Sequence, residues 1–218
     1  MYRAHPRHGM TASHDLHGAC PDSCRVALLI IDMINQLDFA EAEQLRPQAE
    51  AAATRIAALA ERARAAGVPV IYVNDNFGRW RSDFKATLEQ VVRDTPGRAI
   101  AEILRPHETD YFVLKPKHSG FFATALDVLL RYLDARWLIL TGISGDVCVL
   151  FTAHDAYMRD YGLVVPEDCI ASVDPRANEH ALEMMRATLG AESTPSDQLE
   201  LGRYLDPGHR SPREQGES

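Results

Sequence analysis

Three side chains that could react together each follow an apolar run of the kind that forms a buried strand. Asp32 follows the run VALLII, Lys115 follows YFVL, and Cys148 follows LIL across a turn that holds two glycines. A carboxylate can accept the proton of a thiol, and an ammonium group can stabilise the negative charge that the two share. The three residues therefore predict a nucleophilic cysteine site, with Asp32 as its base and Lys115 as the cation that orients both.

The pattern around Cys148 predicts where its reactivity would come from. The apolar run 138–140 is typical of a strand, and a helical pattern begins close to the cysteine. The first N–H groups of a helix lack partners inside it and carry the positive end of its dipole, so a thiol there is expected to have a lowered pKa. The backbone N–H groups of Ser144 and Cys148 could in addition hold a developing oxyanion. The alternative is a small buried side chain without reactivity.

The other two residues also have structural alternatives. Asp32 could cap a turn, and Lys115 could be its buried ion-pair partner. A different residue could also act as the base. In that alternative His118 is paired with Cys148, and Lys115 has a purely structural role. His154 is a poor candidate for the base because it lies six residues beyond Cys148, about 240° around a helix axis.

An alternation of strands and helices has to position these residues. Strand patterns cover 26–31, 68–73, 111–114, 138–140 and 162–165, with a sixth short strand near 192–194, and helical patterns cover 43–66, 84–92, 99–104, 121–133 and 175–189 besides the one at Cys148. Such alternation predicts an α/β fold, a three-layer α/β/α sandwich with a mainly parallel six-stranded sheet in the order 3-2-1-4-5-6. Ligands bind beyond the carboxyl ends of the strands in this architecture. Asp32 and Cys148 then face each other, and Lys115 has to reach them from about 10 Å away.

Composition places the chain among ordinary globular proteins and excludes several classes of partner. Of its 218 residues, 46% are hydrophobic and 25% charged, and the formal net charge is −8. That charge argues against nucleic acid or an anionic membrane as the main partner. No apolar stretch is long enough to span a membrane, and the N-terminal residues lack the apolar segment of a secretion signal. Four cysteines fit a reducing compartment, so we predict a cytoplasmic protein.

The chain is predicted to hold one domain, 25–201, between a flexible N-terminal extension, 1–24, and a flexible C-terminal tail, 202–218. Both ends lack hydrophobic periodicity, and the tail is polar with several prolines and glycines. Four residues of the extension, His14, His17, Cys20 and Cys24, could be assembled into a zinc site on paper. Their spacing matches no common pair of metal-ligand knuckles, so we predict no metal there.

Three blocks of the sequence, taken in order, resemble a known family. They are IIDMINQLDF, VLKPKHSGFFAT and TGISGDVCVLFTAHDAY. These blocks resemble those of the isochorismatase-like cysteine hydrolases, which include nicotinamidases and N-carbamoylsarcosine amidohydrolase. The resemblance places Asp32, Lys115 and Cys148 on the family's Asp-Lys-Cys triad. It also implies a cis peptide bond between Ile143 and Ser144, and a homo-oligomer such as a dimer or tetramer.

The resemblance also sets expectations for the reaction. True isochorismatases lack the nucleophilic cysteine and cleave a vinyl ether, so Cys148 indicates a carbon–nitrogen bond and a covalent thioester. Nicotinamidases hold a metal with an Asp and His cluster after the second strand, whereas the corresponding loop here, NDNFGRWRSDF, has no histidine. We therefore expect neither a catalytic metal nor another cofactor. The first block also departs from the shorter DMQNDF-like form, so Asn35 and Gln36 are expected to contact the substrate differently.

The substrate pocket is predicted from side chains in loops at the same strand ends. Its candidates could surround a small planar amide, and they are Phe39, Asn74, Phe77, Trp80, His118 and Phe151. Phe39 and Phe151 could instead belong to the core, and Asn74 could cap its own turn. The two arginines that flank Trp80 could bind a substrate carboxylate.

Two other functions stay open at the level of sequence. The turn GISG lies between a strand and a helix and could hold a phosphate, although the full dinucleotide fingerprint and the P-loop lysine are both absent. A catalytically silent binding or scaffold protein of the same fold is the other alternative. For the hydrolase, the residues fit small amides, ureido compounds and cyclic imides alike.

Overall fold

A parallel sheet of six strands forms the centre of the protein. The computed structural model describes residues 23–76, 78 and 83–216. Its strands are β1 (Val26–Ile31), β2 (Val70–Asp75), β3 (Tyr111–Lys115), β4 (Trp137–Ile143), β5 (Gly162–Val164) and β6 (Ile170–Ala171). They pair in parallel in the order β3-β2-β1-β4-β5, and β6 pairs with the carboxyl end of β4.

Helices cover both faces of this sheet. They are α1 (Ala42–Ala65), α2 (Phe84–Asp94), α3 (Arg98–Ile103), α4 (Leu126–Tyr132), α5 (Leu150–Tyr157), α6 (Pro175–Leu189), α7 (Leu201–Leu205) and α8 (Pro212–Gly216). A π-helical turn, Gly145–Val149, leads directly into α5, and 3₁₀ turns lie at Glu167–Cys169 and Ser196–Gln198. The layers form the α/β/α sandwich that the alternation of elements predicts.

The central strand β1 shows why the sheet lies in the interior. All six of its residues are buried, and successive side chains point to opposite faces of the sheet. Its even-numbered residues pack in the core beneath α1, α2 and α3, and its odd-numbered residues in the core beneath α4, α5 and α6. A parallel strand that is covered on both faces needs apolar side chains at every position, which explains the uninterrupted run in the sequence.

The strand order confirms the predicted fold class. β1 to β5 take the predicted positions. The segment predicted as a sixth strand near 192–194 contacts β5 through one parallel bridge, between Val164 and Glu192. The two residues of β6 extend the sheet beside β4, and a strand of that length is too short to show a periodic pattern in the sequence.

The helix predicted over 121–133 begins only at Leu126. Ala123 has a φ of +53°, which the right-handed helix excludes. The Thr124 hydroxyl donates to the carbonyl of Gly120 at 2.5 Å and accepts from the N–H of Leu126 at 3.1 Å. The residues before α4 therefore form a turn and not a helix, since the threonine side chain competes here with the helical backbone hydrogen bonds.

The C-terminal segment, which is predicted as a flexible tail from residue 202, is described as far as residue 216. It forms α7 and α8, and the ring of His209 stacks on Trp137 with 4.8 Å between ring centroids. Arg25 and Glu214 form an ion pair of 2.6 Å between residues 189 positions apart. The segment is polar in sequence, but His209 and Tyr204 pack on Trp137 at the amino end of the sheet. Arg25 in addition pairs with Glu214 and donates to the carbonyl of His209, and these contacts have no local signature.

Several predictions fall outside the described residues. They concern the extension up to residue 22, with His14, His17 and Cys20, and part of the loop after β2, with Phe77, Arg79, Trp80 and Arg81. The domain boundaries 25–201 therefore stay a prediction. In the part of the chain that the structure describes, no helix has the length and apolar character needed to cross a membrane.

Candidate active site

The carboxyl ends of β1, β3 and β4 bring Asp32, Lys115 and Cys148 into contact. The Lys115 Nζ atom lies 2.8 Å from Oδ2 of Asp32 and 3.5 Å from the Cys148 sulfur. The side chain of Lys115 is fully buried, and Asp32 is 6% exposed. Lysine is long enough to cross the width of β2, which separates β3 from β1, so the gap expected from the strand order is closed by the side chain itself.

The Asp32 carboxylate is fixed through both of its oxygens. Oδ1 accepts a hydrogen bond of 2.7 Å from the backbone N–H of Asp75, and Oδ2 faces the Lys115 ammonium. Asp32 itself has a φ of +54°, and its backbone N–H donates to the carbonyl of Val73 at 3.0 Å. The chain thus turns sharply at the end of β1, and the turn directs the carboxylate across the sheet edge instead of into solvent.

Burial and mutual attraction act in opposite directions on the pKa of each of the two charged partners. It raises the pKa of the Asp32 carboxyl, while the attraction of Lys115 and the hydrogen bond from the Cys148 thiol act in the opposite direction. Burial lowers the pKa of Lys115, but attraction to Asp32 and Cys148 outweighs it, so the net pKa of Lys115 is raised. Lys115 therefore keeps its positive charge beside a carboxylate that accepts protons more readily than an exposed aspartate does.

The lowered pKa predicted for Cys148 is wrong. Burial, together with the negative charge of Asp32, raises the pKa of the thiol to about 12, although Lys115 acts in the opposite direction. The effect of a helix start is worth about 1 kcal/mol and is outweighed by removal of the sulfur from water. The thiol consequently carries its proton at neutral pH, and a base has to remove that proton before the sulfur can attack.

The turn that carries Cys148 is fixed at each of its ends. The peptide bond between Ile143 and Ser144 is cis, at the position that the family resemblance implies. Gly142 has a φ of +117°, and a Cβ there would lie 2.0 Å from the carbonyl oxygen of Ile31, so glycine is required. The N–H of Val149 donates to the carbonyl of Ser144 at 3.1 Å, a π-helical bond. Such π-helical turns recur at functional sites.

A buried threonine joins the nucleophile turn to the loop after β3. The Thr152 hydroxyl donates to the carbonyl of Cys148 at 2.7 Å and accepts from the N–H of Gly120 at 3.0 Å. Beside it, the Ser119 hydroxyl donates to Asp155 at 2.5 Å. The sequence alone does not identify Thr152, because its position within α5 is compatible with any residue that packs in the core.

One predicted pocket residue, His118, lies close to the sulfur, and a second, Phe151, lies beside the His118 ring. The Nδ1 atom of His118 is 4.0 Å from the Cys148 sulfur, and the ring centroids of His118 and Phe151 are 5.6 Å apart. Phe151 is 53% exposed, so it does not belong to the core. Phe39 is 40% exposed and precedes α1. His118 and Phe151 form an aromatic wall beside the thiol, whereas Phe77 and Trp80 lie outside the described residues.

The Asn74 amide is used within the fold, so its prediction as a substrate ligand is corrected. It is fully buried, and its side chain makes two hydrogen bonds to Ile34: Oδ1 accepts from the backbone N–H at 3.2 Å, and Nδ2 donates to the carbonyl at 2.8 Å. Both ends of the amide are thereby used. Asn74 fixes the chain that follows Asp32 to the end of β2.

Asp75, the last residue of β2, is a neighbour of the triad that is absent from the sequence-based predictions. Its Oδ2 atom lies 3.7 Å from the Lys115 ammonium, and its side chain is 28% exposed. A signal was present, since Asp75 follows an apolar strand and a single polar residue, much as Asp32 ends β1. In the part of the chain that the structure describes, no group of three or more His, Cys, Asp or Glu side chains is arranged to hold a metal. The expectation of a metal-free reaction stays a prediction.

The sequence and the fold of this protein are similar to those of known proteins. The sequence matches the model of the isochorismatase domain over residues 26–198. The uncharacterised isochorismatase family protein YaaI of Bacillus subtilis is 46% identical over 173 residues, which cover 79% of this chain and 95% of that protein. Ureidoacrylate amidohydrolase RutB of Enterobacter sp. strain 638 is 32% identical over 200 residues, which cover 78% of this chain and 86% of that protein. The crystal structure of N-carbamoylsarcosine amidase from Thermoplasma acidophilum matches with a TM-score of 0.64 at 29% identity, over 81% of this chain and 99% of that chain.

Proposed function

The chain belongs to the isochorismatase family, and from this premise we propose that it is a cysteine hydrolase of small amide or ureido compounds that works through a thioester on Cys148. The contact of Lys115 with both Asp32 and Cys148 is the observation that carries the proposal. Two similar proteins are a ureidoacrylate amidohydrolase and an N-carbamoylsarcosine amidase, which supports hydrolysis of a non-peptide carbon–nitrogen bond.

The first half of the reaction forms the thioester. Asp32 and Cys148 both contact the Lys115 ammonium, and the Asp32 carboxylate takes the thiol proton as the sulfur attacks the carbonyl carbon of the substrate. The electron pair of the carbonyl moves to its oxygen, and the backbone N–H groups of Ser144 and Cys148 stabilise the resulting oxyanion. When the oxyanion collapses, the carbon–nitrogen bond breaks, and Asp32 returns its proton to the departing nitrogen.

The second half releases the acyl group to water. Asp32, again a carboxylate, takes a proton from a water molecule as the water oxygen attacks the thioester carbon. Collapse of the second oxyanion breaks the carbon–sulfur bond, and the sulfur regains its proton from Asp32. Lys115 keeps its charge throughout, because it is held between Asp32 and Cys148 and its pKa is raised by that attraction. Its role is to stabilise the negative charge that moves between carboxylate, sulfur and substrate.

The decisive experiment measures ammonia release from a panel of small amides and ureido acids. We expect at least one compound to be hydrolysed by the native protein and not by Cys148→Ala. Cys24→Ala is the matched control, because Cys24 is another free buried thiol and lies at the amino end of the sheet. It should retain the activity. A panel without turnover would favour the silent binding protein, and turnover that survives Cys148→Ala would exclude the thioester on Cys148.

A further inference from the structure

Asp75 lies beside the candidate triad without belonging to it. It is the residue of β2 that pairs with Lys115 on β3, so the strand register holds the two side by side. Its backbone N–H donates to Oδ1 of Asp32, while its own carboxylate lies 3.7 Å from the Lys115 ammonium. With 28% of its side chain exposed, the carboxylate keeps contact with solvent.

The Lys115 ammonium has more acceptors around it than it has protons to donate. Its Nζ atom faces Oδ2 of Asp32 at 2.8 Å, the carbonyl oxygen of Lys117 at 3.1 Å, the sulfur of Cys148 at 3.5 Å and Oδ2 of Asp75 at 3.7 Å. A lysine has only three N–H donors. The contacts to Asp75 and to the sulfur are the two longest, so these two groups compete for the N–H donor that the two shorter contacts leave.

We propose that Asp75 is a positioning residue. Its carboxylate competes with the Cys148 sulfur for the Lys115 ammonium and so raises the pH at which the sulfur becomes a nucleophile. The proposal rests on the proposed function, since it assigns a role relative to the same triad. Two carboxylates, Asp32 and Asp75, already face a single ammonium group. A thiolate would add a third negative charge around one positive charge. Because this accumulation of negative charge is unfavourable, the sulfur keeps its proton until a substrate is present.

The groups that face the thiol and the ammonium come from each neighbouring element. Asp32 follows β1, Asp75 ends β2, and His118 lies in the loop after β3 with its Nδ1 atom 4.0 Å from the sulfur. Asp146, in the same turn as Cys148, accepts a hydrogen bond from the Ser144 hydroxyl. Asp75 is the group among them whose charge can be removed without touching the sulfur, the proton-accepting carboxylate or the turn.

The test compares alkylation of Cys148 by iodoacetamide in the native protein and in Asp75→Asn, followed by mass spectrometry of the Cys148 peptide. Asparagine keeps the size of the side chain and the backbone N–H that binds Asp32. Removal of the negative charge that lies 3.7 Å from the Lys115 ammonium is expected to lower the thiol pKa by about one unit, which raises the thiolate fraction about tenfold. Lower nucleophilicity offsets part of this, so we expect alkylation about threefold faster at pH ~9.

Matched variants separate this effect from a change of net charge or of folding. Asp174→Asn removes the same charge at the exposed N-cap of α6 and should leave the rate unchanged. Asp75→Glu restores the charge and should bring the rate back toward the native value. Asp75→Ser removes the charge with a smaller side chain and should accelerate alkylation as Asp75→Asn does.

Two results would overturn the proposal. One is a rate in folded Asp75→Asn or Asp75→Ser that equals the rate in Asp174→Asn, and the other is a slower rate. Alkylation needs no substrate, so an amide panel without turnover leaves this measurement intact. A failure of the proposed function and a failure of the role of Asp75 are thereby distinguished.

Discussion

Asp32 and His118 are the two side chains that could take the proton of Cys148. Asp32 is buried and held by Lys115 at 2.8 Å, whereas the nearest nitrogen of His118 is 4.0 Å from the sulfur. We expect Asp32→Asn to lower kcat/KM by at least about a thousandfold, because the substitution removes the proton acceptor, and His118→Ala to lower it by about tenfold or less. A modest loss in Asp32→Asn with a severe loss in His118→Ala would assign the base to histidine.

The raised pKa of Cys148 has a direct consequence for its reactivity without substrate. A thiolate forms only above the pKa of its thiol, and burial raises that pKa to about 12, so the sulfur stays protonated at neutral pH. Alkylation of the native protein by iodoacetamide should therefore keep accelerating as the pH rises past about 8.5, where an ordinary thiol levels off. A plateau at or below that pH would show that the thiolate is stabilised after all.

Residue identity and residue environment differ in how far the sequence predicts them. Asp32, Lys115 and Cys148 could be found because each follows a parallel strand, and all such strands end at one edge of the sheet. The protonation state of Cys148 could not be predicted from the sequence, since it depends on burial and on the nearby Asp32 charge. Asn74 follows the same positional rule as Asp32, yet it binds the backbone of Ile34, a partner that no local pattern reveals.

At the level of elements, Thr152 joins α5 to the loop after β3. Thr152→Val keeps the shape of the side chain but removes the hydroxyl, which leaves the buried N–H of Gly120 without its partner. We expect a loss of about 1–3 kcal/mol in the free energy of unfolding and a fall of about tenfold in kcat/KM, because Cys148 and His118 lose their common support.

Thr152→Ser is the control, because it keeps the hydroxyl that bridges the carbonyl of Cys148 and the N–H of Gly120. Denaturant unfolding and steady-state kinetics on both variants provide the comparison. Unchanged kcat/KM in a Thr152→Val protein of lowered stability would limit the role of this residue to folding.

Elements with strong periodicity are the ones that the sequence predicts best. β1 and α1 are close to their predicted bounds, since a strand buried on both faces and an alanine-rich helix leave unambiguous patterns. The start of α4 was displaced by the left-handed residue Ala123, and β6 is too short to show any period. These exceptions are set by turn geometry and by pairing with β4, which are tertiary effects.

At the scale of the whole molecule, the ion pair of Arg25 with Glu214 joins the two ends of the described chain. Arg25, together with hydrogen bonds from Ser211, lowers the pKa of Glu214 from 4.5 to about 2. A carboxyl with a lowered pKa in the folded state contributes stability above its unfolded pKa and loses it as the pH falls toward the folded value. The contribution should therefore be complete at neutral pH and disappear between pH 4.5 and about 2.

Glu214→Gln tests this contribution. Because the pair is partly exposed, we expect the variant to be about 1–2 kcal/mol less stable at neutral pH and equal to the native protein near pH ~2. Thermal unfolding of both proteins across this range is the measurement. A constant difference in Tm at every pH would show that the effect of Glu214 does not come from its charge.

Oligomer formation also belongs to the whole molecule and stays a prediction. Four large apolar side chains of α4, α5 and the residue after α5 are about half or more exposed, and they are Val128, Tyr132, Tyr157 and Met158. Exposed apolar surface of this kind is typical of protein contacts. Light scattering should give a mass of two or four times 24.3 kDa, and a monomer at micromolar concentration would contradict the prediction.

The contact between Arg25 and the C-terminal segment has a practical consequence. It lies at the amino ends of the strands, whereas Asp32, Lys115 and Cys148 lie at the carboxyl ends. A protein immobilised on a solid support through either of these neighbouring segments would turn its reactive edge toward the bulk liquid. The same proximity favours a circular permutant, in which a short peptide joins residue 216 to residue 23 and new ends are opened in an exposed loop elsewhere.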